Sequence, residues 1–266
     1  MSIRAMNTAA SGMDAQQFRL DVIANNLANA QTTAFKTSRV NFEDLMYQNF
    51  KIPGMTDNLG RITSLGQSYG LGVRVQSTEM NMTEGSLNNT GGNLDLAIAG
   101  DGFFQINDGN QFLYTRAGNF TVNANGQIVV GSATTGRLLE PSITIPQDTT
   151  QITISADGIV SVLQAGQTQL NQLGNIQLAR FINPQGLLAT GQNLYQQTTA
   201  SGTPIISTPG QDGLGVIQQN FLENSNVEPV TELVNLIATQ RSFELNSQVI
   251  QVADQNWQLV NNLRRY

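Results

Sequence analysis

Carboxylates are the first side chains to examine for chemistry in this sequence, because it contains neither histidine nor cysteine. Without histidine the usual general base and the commonest zinc ligand are missing. Without cysteine there is no disulfide and no thiolate site. An enzyme would have to rely on a carboxylate pair or a Ser–Lys arrangement, and no motif for either appears. Asp95 and Asp101 lie near Gly100 and Gly102, but that glycine pattern lacks the strand–loop–helix setting of a phosphate loop and reads as a strand turn. Asp14, Asp21, Glu43 and Asp44 read as solvated or paired charges, and the lone Trp257 as packing. The expectation is a protein that is not an enzyme and has no cofactor, metal or small-molecule substrate.

The residues that stand out are amides. In LDVIANNLANAQTTAF (20–35), Asn25, Asn26 and Asn29 crowd into an otherwise apolar, helical run. Asparagine competes for backbone hydrogen bonds and is a mediocre helix former. A helix meant only to fill a core has little use for three of them, so the segment is expected to set register against copies of itself, as a buried Asn does in a coiled coil.

Composition agrees with an assembly. Charged residues make up only 12% of the 266, against 39% hydrophobic, so uncharged polar groups must cover most of the surface. A net charge of −6 and a pI near 4.6 argue against nucleic acid. The one basic pair is Arg264-Arg265. No run reaches the roughly 18 apolar residues of a membrane span. MSIRAMNTAASGMDA lacks the apolar core of a cleavable secretory signal, which by itself would favour the cytoplasm.

The elements that must position these residues follow from periodicity. Ile3, Met6, Ala10, Met13, Leu20, Ala24 and Leu27 recur in steps of three and four, with a break at Gln17 beside Phe18. That spacing predicts one helix over 3–31, with Ser2 as N-cap. Residues 41–85 read as an arm, either a short helix or extended chain over NFEDLMYQNF (41–50), then punctuated by Pro53-Gly54, Gly60, Gly66, Gly70 and Gly72. Residues 86–224 read as an all-β sandwich or partly open barrel. Within it, Asn125-Gly126 and Asp157-Gly158 sit between alternating runs and predict hairpins with type I′ turns. Further strands are expected at 176–182 and 214–222.

From Ser225 to the end glycine is absent and Pro229 is the only proline. Ser225 and Glu228 fit a capping box, with Pro229 in the first turn. Leu236, Phe243, Ile250 and Trp257 follow at intervals of seven, with Leu233, Ala253 and Val260 beside them. This predicts a single helix of some 35 residues with a narrow seam for helix–helix packing. The division is therefore 1–40 N-terminal helix, 41–85 arm, 86–224 β domain and 225–266 C-terminal helix.

These residues resemble a known family, the bacterial flagellar rod and hook axial proteins. The resemblance rests on ANNLANAQTTAFK (24–36), LDLAIAGDGFF (94–104), NLYQQTTASG (193–202) and LENSNV (222–227) leading into ELVNLIATQRSFELNSQVI (232–250). It covers nearly the whole chain in order. FEDLMYQNFKIPG (42–54) and the glycine-punctuated arm place it nearer the distal rod branch than the proximal rod or hook. Ala34 and Asn220 stand where many relatives carry glycine; Asn220 tolerates a left-handed backbone, and Ala34 implies a helix end without a glycine cap.

The resemblance implies an α+β fold in which long N- and C-terminal helices pair as an antiparallel coiled coil, with a central all-β domain and an extended arm between. It implies helical self-assembly in many copies around a central channel, contact with proximal rod proteins, the hook protein and the surrounding bushing rings, and export through the flagellar type III apparatus. The place is then the basal body and not the cytoplasm. Self-assembly is assigned to Asn25, Asn26, Leu27, Asn29, Phe35, Leu236, Phe243, Ile250 and Trp257. The clamp between neighbouring subunits falls to Phe42, Leu45, Tyr47 and Pro53 of the arm. Narrow seams cannot offset the entropy of ordering two long helices, so both termini are expected to fold only as neighbours dock.

Overall fold

A computed structural model describes residues 2–54, 56, 64–109, 111–131, 136–167 and 169–263. Gly60 and the pair Arg264-Arg265 lie outside the described residues. The chain divides into two compact units: residues 1–28, 38–79 and 228–266 form the first, and 29–37 with 80–227 the second. The polypeptide therefore passes from one unit to the other four times.

The first unit holds both long helices. α1 spans Ser2–Ala28 and α2 spans Pro229–Leu263, the latter 35 residues long. They pack antiparallel: Asn26 of α1 lies against Glu232 of α2, and Gly12 against Asn246, an equal step on each helix. At Gly12 an added Cβ would stand 3.0 Å from Asn246 Nδ2, so the small residue lets the two helices approach. Ala9 and Ile23 are the most covered apolar residues on this side of α1, while Ala24 of the predicted stripe is exposed. α1 ends at Ala28, short of the expected 31; Asn29 lies beyond it, where its side-chain oxygen accepts from Thr32 Oγ1.

The arm is strand, not helix. β1 (Ser38–Asp44) pairs with β4 (Val73–Met80), and β2 (Tyr47–Lys51) pairs antiparallel with β3 (Gln67–Gly70). A second face of α1 carries this arm. Arg4 places its guanidinium 4.8 Å from the Tyr69 ring centroid and 5.7 Å from that of Phe50, in cation–π geometry. Ser11 Oγ accepts from Val73 N at 3.4 Å, and Gly72, at φ +123, passes so close to Ser11 that no Cβ would fit. Ala15, on the same side of α1, is buried.

The second unit is built of β-strands, with one 3-10 turn at Pro184–Gly186. Its strands are β5 (Leu87–Asn89), β6 (Leu96–Ala99), β7 (Phe103–Asn107), β8 (Phe112–Thr115), β9 (Phe120–Val122), β10 (Ile128–Val130), β11 (Arg137–Glu140), β12 (Thr149–Ile154), β13 (Ile159–Gln164), β14 (Asn171–Asn175), β15 (Leu178–Arg180), β16 (Leu188–Gly191), β17 (Leu194–Gln196), β18 (Ile205–Ser207), β19 (Val216–Gln219) and β20 (Phe221–Glu223). The main sheet runs β16-β17-β8-β7-β11-β10-β9. The far edge of β7 is shared, because Phe103 and Phe104 pair with β15 and residues 105–107 with β11. Beside it lie the meander β12-β13-β14 and the pairs β19-β6 and β20-β5.

Alternation along these strands builds two cores. Phe104, Ile106, Leu113, Leu178 and Leu194 point to one side, with Ile98, Leu139 and Val160. Phe103, Tyr114, Ala179 and Tyr195 point to the other, where Phe181 meets Tyr114 edge-on at 4.7 Å. A sheet apolar on both faces has strands that read as apolar runs, as in LAIA and FFQIN.

The two hairpins form, with a different turn. In each, only the glycine takes a left-handed backbone, Gly126 at φ 80 and Gly158 at φ 84. A type I turn followed by a left-handed glycine gives a three-residue loop, closed by Gly126 N to Asn123 O and Gly158 N to Ser155 O, both at 2.9 Å. The expected capping box also differs. Ser225 Oγ accepts from Val227 N, Glu228 Oε2 accepts from Thr231 Oγ1, and Pro229 opens the helix. Asn220 is left-handed as anticipated, at φ 68. Ala34 is left-handed too, at φ 56, six residues past the end of α1.

Candidate functional site

Three features of the chain ask for a functional account. The first is a knot of buried charge in the second unit. Glu223 and Lys36 have fully buried side chains, and Arg116 is nearly so. Lys36 Nζ lies 2.5 Å from Glu223 Oε1, and Arg116 Nε lies 2.8 Å from Glu223 Oε2. Backbone groups complete the knot. Lys36 Nζ reaches Thr83 O, Gly85 N donates to Glu223 Oε1, and Arg116 donates to the carbonyls of Ile98, Gly100 and Gly102.

Burial alone would raise the Glu223 carboxyl, but Arg116 and Lys36 outweigh it and hold it below the usual glutamate value. Burial pulls the Lys36 ammonium below the usual lysine value even with Glu223 beside it. Burial, then the Glu223 charge, pushes the Tyr195 hydroxyl up to about 12. A small cavity of about 140 Å³ reaches Arg116 between Asp101, Phe103 and Phe181, while the Glu223 carboxylate faces Lys36, Arg116 and Gly85 N. The chemistry of the knot is cohesion.

The knot ties together the segments through which the chain enters and leaves the second unit. Ala34 N donates to Glu223 O, Asn226 N to Phe35 O and Asn81 N to Thr37 O. Asn226 spans three segments, accepting from Thr37 N at 2.8 Å while its amide donates to Asn81 O and Thr83 O. Within the first unit Asn26 plays a similar part. It is buried, its Oδ1 accepts from Ser38 N at 3.0 Å, and its Nδ2 donates to Ser38 O at 2.9 Å. An amide paired both ways with one backbone residue imitates a strand neighbour. The amide expected to set register against copies of itself makes these bonds within its own chain.

The other residues assigned from sequence are dispersed. Asn25 is exposed, and Leu27, Asn29 and Phe35 are half-buried. Leu236, Phe243 and Ile250 are half-buried along the side of α2 that meets α1, and Trp257 is more exposed. In the arm, Phe42 and Leu45 are half-buried, while Tyr47 and Pro53 are exposed. Met46, Phe50 and Ile52 join them as exposed apolar groups.

The second feature is that α2 is apolar on two sides. Val230, Val234, Ile237, Leu245, Val252 and Leu259 are all exposed, at 55–76%. At about 3.6 residues per turn they fall opposite Leu236, Phe243 and Ile250. Leu245, Val252 and Leu259 repeat at intervals of seven, a second heptad series that sequence reading missed among the glutamines. The third feature adjoins it: an apolar groove lined by Ala5, Val249, Ala253, Asn256, Trp257 and Val260. Among the described residues no three potential ligands converge on a metal site, and no helix is long and apolar enough to cross a membrane.

Comparison with known proteins places these features. Residues 6–36 match the family model "Flagella basal body rod protein", 97–162 match "Flagellar hook protein FlgE/F/G D1 domain", and 218–263 match "Flagellar basal body rod FlgEFG protein C-terminal". A flagellar basal-body rod protein FlgG of Buchnera aphidicola from Acyrthosiphon pisum is 47% identical over 95% of this chain and 96% of its own length. The FlgG rod protein of Caulobacter vibrioides is 44% identical over 98% of this chain and its full length. A solved flagellar hook protein, FlgE2 of Helicobacter pylori, aligns over 71% of this chain and 43% of its own, with 14% identity and a TM-score of 0.25.

Proposed function

Since the chain belongs to the family of flagellar basal-body rod proteins, we propose that it is a structural subunit of the distal rod, self-assembling helically into a hollow shaft that carries torque from motor to hook. The observation that carries assembly is the second apolar face of α2. α1 covers one side of the helix, while Val234, Ile237, Leu245, Val252 and Leu259 face outward. Each such side chain is worth about 1.5–3 kcal/mol when buried, and a contiguous row of them marks an interface. A second copy of the same helix is the matching occupant.

In this reading α1 and α2 form a coiled-coil pair that lines the shaft, and the half-buried Leu236, Phe243, Ile250 and Trp257 complete their burial between chains. Leu27, Asn25, Asn29 and Phe35 contribute at the other end of the pair. The arm, with Phe42, Leu45, Tyr47 and Pro53, clamps adjacent subunits. Its supporting feature is the row of exposed apolar groups on β2 and its flanks, held by Arg4. Proximal rod proteins, the hook protein and the bushing rings are the neighbours, and the chain reaches them by type III export.

Val252→Asp and Leu245→Asp test the face directly. Electron microscopy of concentrated protein is expected to show hollow filaments for the natural chain. Each variant should raise the concentration needed for filaments by at least tenfold while the β unit melts unchanged. Filaments of Val252→Asp at the natural concentration would refute the assignment.

A further inference from the structure

Leu96, Ala97 and Ile98 of strand β6 are buried, yet the ladder partner of the strand is β19, whose residues lie some 120 positions later: Leu96–Ala99 pair with Gln219–Val216. Strand β5 likewise waits for β20. On its other flank β6 meets Gly118, where an added Cβ would stand 1.6 Å from Leu96 O. Arg116 holds the end of this same strand and the turn after it, through the carbonyls of Ile98, Gly100 and Gly102. Its carbonyl partners are local, but the charge that matches it is 107 positions away at Glu223. Lys36 is 187 positions from the same carboxylate.

We infer that Glu223 is the closing element of the β unit, a carboxylate required by two buried cations, so that the unit stays open until β19 and β20 dock. Burying Lys36 and Arg116 before Glu223 arrives would leave two unmatched charges in a dry interior, which is prohibitive. The local hairpins β9-β10 and β12-β13 need no distant partner and form early, since short loops close first. The late position of Glu223, four residues before the unit ends, turns chain order into folding order. A chain that emerges from a machine with its N-terminus first would keep this unit unfolded until nearly all of it had appeared. This goes beyond the rod assignment and does not depend on it.

Pulse-labelling hydrogen exchange during refolding of the full chain provides the test. Amides of β6 are expected to gain protection in the same kinetic phase as those of β19, after β12-β13. Glu223→Gln should slow that phase at least tenfold while leaving the β12-β13 phase within twofold. Adding Lys36→Met to Glu223→Gln should recover part of the lost rate, because one unmatched charge is gone. Protection of β6 ahead of β19 in the natural chain would overturn the inference, whether or not the variants fold. So would a Glu223→Gln chain that closes at the natural rate.

Discussion

Replacing Glu223 by glutamine changes shape least and charge most, which makes its effect on equilibrium stability calculable. The carboxylate accepts from Lys36 Nζ at 2.5 Å, Arg116 Nε at 2.8 Å and Gly85 N at 2.9 Å. Glutamine keeps one acceptor oxygen but turns the other into an amide that faces a donor. Both cations stay in place, buried and without a counter-charge. Removing one partner of a buried pair typically destabilises by about 3–5 kcal/mol. For a β unit of this size, each kcal/mol shifts the melting temperature by about 2–4 °C. Thermal melts followed by circular dichroism should therefore show a drop of roughly 6–20 °C. The triple change Lys36→Met, Arg116→Met, Glu223→Leu removes all three charges together and should recover most of the loss, because apolar replacement of a whole buried cluster is often neutral. A Glu223→Gln melt within about 2 °C of the natural protein would refute the claim that these charges depend on one another.

Acid should act through the same group. The folded-state carboxyl titrates below the ordinary value of 4.5, so its contribution is full above that value and is lost as pH falls through the folded one. Melting temperature should then fall more steeply below about pH 4.5 in the natural chain than in Glu223→Gln, and parallel curves would contradict this. Asn26→Leu leaves the N–H and C=O of Ser38 without their partner, at about 1–3 kcal/mol each. Exchange of the Ser38 amide in assembled filaments should accelerate at least tenfold, and unchanged protection would remove Asn26 from this role.

Periodicity made α2 legible almost to the residue, because an unbroken run without glycine leaves a helix no reason to stop. The hairpins were legible from Asn125-Gly126 and Asp157-Gly158, but not their turn type, since one left-handed glycine serves as well as two left-handed residues. The arm was ambiguous because β2 is exposed along its whole length and so shows no alternation of burial. The charge knot left only a faint trace. Lys36, Arg116 and Glu223 are single charges in a chain with few, and nothing local links positions so far apart. Asn26 stood out as unusual, but its bonds to Ser38 were not legible, because the residue type reveals a need for partners without saying whose.

The tied crossing also has a mechanical consequence. Here the backbone passes between the units four times. The segments on the β side of those passes are cross-braced by Lys36, Glu223, Asn226 and the backbone pairs at Ala34, Asn81 and Asn226. Within the β unit, tension on one of these segments is shared by the others before any single bond carries it all. Fraying at any one of these segments is therefore opposed by the bonds that hold the rest.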